Sequence, residues 1–200
     1  QTATWIAILS FPVFALCVAF AEPVVVLLFG EPYRSAGTVL SILCIGYYIN
    51  GSIGFNSLLL RVFGRVRYMV TTDLTTAAIS IVATVFLIRA FGAVGAAMGT
   101  TATLLVQNGL YQWGLRTRTT VEAVDARFIR PYASIFVGAV LAVLISRLID
   151  PPLVVGVIVV GLISLAVLGL NRHALRVLET YPELGRFPLV RRIFGDPSPT

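Results

Sequence analysis

Charged residues along this chain are spaced so that long uncharged runs lie between them. A helix crossing the hydrocarbon core of a bilayer needs about 20 apolar residues, each rising about 1.5 Å. Residues 1–21, 35–60, 90–115 and 151–171 carry no charge and all meet that length. Residues 68–88 meet it with Asp73 near one interface, and 131–149 meet it with Arg147 snorkelling from the last turn toward headgroups. The pattern predicts an all-α polytopic membrane protein with six transmembrane helices. Hydrophobic residues make up 58% of the chain and charged residues 12%, where a soluble domain carries about 25% charge. The mean hydropathy of +0.92 points the same way.

The arginines give an orientation. Every one of the 15 basic residues is arginine. With the spans numbered alternately, one side receives Arg61, Arg65, Arg67, Arg116, Arg118, Arg127, Arg130, Arg172, Arg176, Arg186, Arg191 and Arg192. The other side receives only Arg34, Arg89 and Arg147. By the positive-inside bias the richer side is cytoplasmic, which places both ends of the segment in the cytoplasm of a multi-pass cell-membrane protein. Residues 1–120 then hold four spans, 121–171 two further spans, and 172–200 a basic cytoplasmic tail, a short amphipathic segment or a disordered one. On the outer side, 22–34 (EPVVVLLFGEPYR) reads as a loop with room for a short interfacial helix. Residues 90–94 and the Asp150-Pro151-Pro152 corner read as tight turns. The opening QTATWIAILS has neither Met nor a basic stretch before its apolar run. A signal peptide is therefore not expected, and the start reads as internal to a longer protein.

In lipid the backbone satisfies itself within each helix, so polar side chains carry the information. At 100° per residue, Thr100, Thr101, Thr103, Gln107, Asn108, Tyr111 and Gln112 share one half of the fourth span. Gly46, Tyr47, Asn50, Gly54 and Ser57 recur on one face of the second. Tyr47, Asn50, Ser57, Thr100, Thr103, Gln107 and Asn108 are thus candidate cavity-lining residues. Two readings stay open: a hydrated cavity for a polar ligand, or hydrogen bonds between helices. Asp73 and Arg89 lie sixteen residues apart in one span, about 24 Å along a helix, so each sits near a different membrane face, where each suits the helix dipole. Pro12 falls midway along the first span, a place for a kink. Gly95 and Gly99 form a GxxxG pair that would let another helix approach.

Other functions are disfavoured by what the sequence lacks. No HExxH, Walker A loop, GxGxxG or CxxC is present, and the one histidine, His173, lies in the basic tail. An enzyme is therefore not expected, nor is a cofactor or a metal site. The pI of 9.9 does not imply a nucleic-acid partner, because the arginines form no continuous face. Cys17 and Cys44 both lie in apolar runs and read as small packing residues, not as a disulfide or metal pair.

The run SFPVFALCVAFAEPVVVLLFGEPYRSAGTVLSILCIGYYINGS resembles the late part of prokaryotic polysaccharide flippases of the multidrug/oligosaccharidyl-lipid/polysaccharide exporter superfamily. The matching features are an apolar helix, LLFG, then Tyr33 and Ala36, and a new helix starting near Val39-Leu40. LLLRVFGRVRYM and FGAVGAAMGTT follow in the order and spacing that the family shows. The resemblance implies the C-terminal part of a two-lobe transporter bundle. Such a protein moves polyprenyl-linked oligosaccharide from the cytoplasmic to the outer leaflet for cell-surface polysaccharide biosynthesis. Its implied partners are the bilayer, a lipid-linked oligosaccharide and the missing N-terminal half of the same protein. The alternatives are a cation-coupled multidrug antiporter of the same superfamily, which needs an acid in mid-membrane, or a non-transporting membrane scaffold subunit.

Overall fold

The computed structural model describes residues 2–52, 56–118, 129–149 and 151–171. Among them there are helices and no strand. In order these are α1 (Thr2–Ala19), α2 (Ala21–Phe29), a 3-10 turn (Glu31–Tyr33), α3 (Ala36–Ser52), α4 (Asn56–Val62), α5 (Val66–Arg118), α6 (Ile129–Ile149) and α7 (Leu153–Leu170). Four stretches are long and apolar enough to cross a membrane: Ala36–Val62, Val66–Thr117, Arg130–Ile149 and Leu153–Leu170. The bent pair α1–α2 makes a fifth when taken as one broken span. Leu148 and Leu170 are 80% and 74% exposed on the outside of these helices, as expected of a surface that faces hydrocarbon. The described chain fits a multi-pass membrane protein. Residues 119–128 between the fourth and fifth expected spans, the tail from 172 onward, Gly54 and Asp150 lie outside the described residues.

The helices form a row. The pair α6–α7 packs on α1, α1 packs on α3, and α3 with α4 packs on α5. Where α1, α6 and α7 meet, Ala7, Ile8, Phe11 and Ala15 close on Ile135, Ala142, Val160 and Val167. Phe11 is fully buried because Gly138 makes room for it: a Cβ there would lie 3.0 Å from Phe11 Cζ and 3.1 Å from Val167 Cγ2. Gly156 likewise admits the Phe20 ring. Lipid tails offer no hydrophobic penalty to escape, so this close fit and a few hydrogen bonds must hold the row together. Phe14 stacks on Tyr48 at 3.9 Å, and the Tyr48 hydroxyl donates to the Ala7 carbonyl at 2.8 Å. The Tyr132 hydroxyl donates to the Ser52 carbonyl, and Asn171 Nδ2 donates to Ser134 Oγ at 2.6 Å. Pro12 sits inside α1 without ending it.

Between α1 and α2 the chain turns through 88°, so the 22–34 segment does contain a short helix. Its first turn rests on the start of α3, where a Cβ on Gly37 would stand 2.9 Å from the Glu22 nitrogen. Arg34 donates to both carboxylate oxygens of Glu31, at 2.8 and 3.0 Å, and lies 3.8 Å from Glu22. The Arg34 guanidinium lowers the Glu31 carboxyl below its ordinary range.

α5 is a hairpin. At Gly92 the backbone leaves the helical region (φ 59, ψ −133), a conformation glycine reaches without a Cβ clash. The two limbs fold against each other and their contacts converge on that residue: Tyr68 meets Gly114, Asp73 meets Gln107, Thr84 meets Gly99, and Leu87 meets Gly95. The helix that the Gly95/Gly99 pair admits is therefore the preceding limb of α5 itself.

Candidate functional site

Six hydrogen bonds gather toward one end of the bundle, where α3 ends, α4 begins and the far ends of the α5 hairpin meet. Asn108 Nδ2 donates to Asn50 Oδ1, which ties the second limb of α5 to α3. Asn56 Nδ2 donates to Gln112 Oε1 at 3.0 Å, which does the same for α4. Gln107 Nε2 donates to Asp73 Oδ1 at 2.7 Å and to the Tyr111 hydroxyl oxygen at 3.1 Å. Tyr111 in turn donates to the same Asp73 oxygen. The Tyr68 hydroxyl donates to the Leu110 carbonyl at 2.8 Å. The ring reaches that position because Gly114 has no side chain: a Cβ would stand 2.1 Å from Tyr68 Cε1.

Local sequence explains each placement. Asn50 and Gly46 lie one turn apart on α3, and both face α5. A Cβ on Gly46 would meet Thr101 Oγ1 at 2.6 Å, and that hydroxyl donates to the Ile42 carbonyl at 3.0 Å. Gln107 and Tyr111 lie one turn apart on α5, so both reach Asp73 together. Asp73 stands seven residues into α5, roughly 10 Å along the axis from Val66. It is half-buried. Among the described residues it is the one acid inside a long apolar helix; Glu22 lies in the short α2 and Glu31 in the 3-10 turn after it.

The structure brings together some of the sequence candidates and separates others. Asn50 and Asn108 meet, and Gln107 meets Asp73. Tyr47 points away from this contact and is 58% exposed, because one residue of helix turns it 100° from Gly46. Thr100 and Thr103 hydrogen-bond back to Ala96 and Gly99 of their own helix, at 3.0 and 2.8 Å. Ser57 is half-buried in α4. Arg89 is exposed three residues before the Gly92 break. Sequence reasoning missed Asn56 and Tyr68. Asn56 was detectable as an amide standing before three leucines, and Tyr68 only through its pairing with Gly114.

Hydrogen-bond donors and acceptors are thus concentrated within apolar helices, with one carboxylate receiving two donors. Such a cluster can fix helix register, and rearrangement would present amides, hydroxyls and a carboxylate to a polar ligand. Removing either member of the Asn50–Asn108 pair tests the first role. A double-mutant cycle with Asn50→Ala and Asn108→Ala is expected to give a coupling of about 1 kcal/mol, the upper part of the range for hydrogen bonds between membrane helices. A coupling near zero would show that the contact does not fasten α3 to α5. Among the described residues no group of three or more His, Cys, Asp or Glu side chains converges to hold a metal ion. No family model, curated protein or solved structure matches the chain.

Proposed function

We propose that the chain is the C-terminal portion of a membrane flippase that moves polyprenyl-linked oligosaccharide from the cytoplasmic to the outer leaflet for cell-surface polysaccharide biosynthesis. In this reading six spans cross the membrane: α1, α3 with α4, each limb of α5, α6, and α7. The distribution of arginines puts the polar cluster toward the cytoplasmic side, where such a substrate is completed. The observation that carries the reading is the cluster itself. Asn50, Asn108, Gln107, Gln112 and Asn56 hold amide groups inside helices whose other surfaces suit lipid. Amides are suited to sugar hydroxyls, since each both donates and accepts. The resemblance around LLFG and FGAVGAAMGTT supports the same assignment. A catalytic role is no part of it.

The test depletes the full-length protein in its native cell and follows lipid-linked oligosaccharide. Completed precursor is expected to accumulate on the cytoplasmic leaflet. A second reading, the cation-coupled antiporter, is favoured by one observation: Asp73 lies inside a long apolar helix and two donors contact it. An unchanged precursor pool, with altered drug or cation sensitivity, would select the antiporter. No change in either would leave a membrane scaffold, in which the same hydrogen bonds serve only assembly.

A further inference from the structure

The two cysteines are far apart in sequence, yet the antiparallel register of α1 and α3 sets them side by side. Contacts on α3 run from Glu22 of α2 beside Gly37, just past the bend, through Phe14 of α1 on Tyr48, to Ile6 of α1 beside Gly51. Cys17 and Cys44 fall between the first two of these levels. Each side chain lies within electrostatic reach of the other. Both are half-buried and both are free thiols. Neither packing nor the polar cluster requires sulfur at these positions, since α1 and α3 are already joined by the Phe14–Tyr48 stack and the Tyr48 hydroxyl.

A disulfide needs Cα atoms about 4.4–6.8 Å apart with the Cβ vectors facing each other. Cys17 stands three residues past Phe14 on α1 and Cys44 four residues before Tyr48 on α3, so both lie one turn beyond the Phe14–Tyr48 stack, on the faces that the two helices turn to each other. We propose that Cys17 and Cys44 form an oxidisable pair, whose conversion to an intramolecular disulfide ties α1 to α3. The proposal goes beyond the transport reading and does not depend on it.

The chemistry balances with a two-electron thiol oxidant such as the membrane-permeant azo compound diamide. One thiolate adds to the N=N bond, and the second sulfur attacks the resulting sulfur–nitrogen adduct. One S–S bond forms, two S–H bonds are lost, and the azo group leaves as the hydrazine carrying both hydrogens. The apolar surroundings slow the first step, because the thiolate is the reactive form. The second step is intramolecular between groups on facing helices, and is correspondingly fast.

The consequence is mechanical. α6 and α7 attach to the rest of the described bundle mainly through α1, and α5 attaches mainly through α3. A covalent tie between α1 and α3 therefore fixes the two halves of the row to each other.

The experiment treats the full-length protein in its native membrane with diamide, then blocks remaining thiols and digests it. Mass spectrometry is expected to find one peptide pair joined through Cys17 and Cys44, lighter by two hydrogens than the separate peptides and released by reductant. Most molecules should be linked, and the yield should not change with protein concentration. The linked protein should also melt at a higher temperature than the reduced form, and Cys17→Ser should abolish that difference. Complete alkylation of both cysteines after oxidation would overturn the proposal. So would a link between separate molecules, or a linked protein that melts no higher than the reduced one. The wild-type peptide pair decides the matter even if Cys17→Ser fails to fold.

Discussion

Gly95→Ala, the smallest side chain that can be added, is expected to open the α5 hairpin. The new Cβ would lie 1.9 Å from the Leu87 carbonyl oxygen and 2.3 Å from its carbon. Neither atom belongs to a flexible side chain that can swing aside, so the limbs themselves must separate. Contacts further from the turn then fail together: Gly99 on Thr84, Gln107 on Asp73, and Tyr68 on the Leu110 carbonyl. Overpacking of this kind costs about 3 kcal/mol, a large share of a typical domain's stability. The measurement is the thermal midpoint of the purified full-length protein in detergent, with Gly109→Ala as the companion. Gly109 lies on the same limb with nothing within 4 Å of an added Cβ. Alanine there should be neutral or stabilising, by up to about 1 kcal/mol of helix propensity. Equal midpoints for the two variants would refute the close-packed hairpin.

The second large effect is expected at Asp73. Asp73→Leu removes the acceptor for Gln107 Nε2 and for the Tyr111 hydroxyl at once. Leaving such donors unpaired costs about 1–3 kcal/mol each in a water-soluble protein. Between membrane helices the measured mean is nearer 0.6 kcal/mol, because the unfolded state finds partners too. A loss of about 1–2 kcal/mol in stability is therefore expected, and, under the proposed flippase reading, a fall in transport with it. Asp73→Asn separates structure from charge. Its amide oxygen still accepts, so stability should stay within about 0.5 kcal/mol of wild type. If Asp73→Asn transports normally, a coupled cation at this carboxylate is ruled out and the residue serves the hairpin alone.

Much of this architecture could be read from charge spacing. The uncharged runs locate the apolar helices because burying charge in lipid is costly whatever the fold. The turn at 90–94 was legible from Phe91-Gly92 after Arg89, and the helix within 22–34 from its apolar run between Glu22 and Arg34. Partnership was harder to read. A helical wheel sorted Asn108 and Gln107 onto a polar half, but it could not tell that one reaches α3 and the other reaches back to Asp73. Tyr47 shows the limit of that method. It shares a stripe with Gly46 and Asn50, yet one step of rotation turns it outward. Asp73 was placed near an interface because it lies early in its span, where it suits the helix dipole. Its partners lie 34 and 38 residues later in the chain, beyond any local pattern.

That separation bears on how the chain is made. On insertion scales an aspartate at the centre of a helix costs about 2.5–3.5 kcal/mol; Asp73, nearer the start of its limb, bears part of that cost when the limb enters lipid alone. The residues that offset this cost, Gln107 and Tyr111, belong to the limb synthesised afterwards. With no slack beyond Gly92 between them, the two limbs are best delivered to the bilayer as one unit, already folded back at the glycine. The offset is complete only once the ribosome has passed Tyr111 and both limbs have met. The hairpin thus bears on biogenesis as well as on the finished bundle.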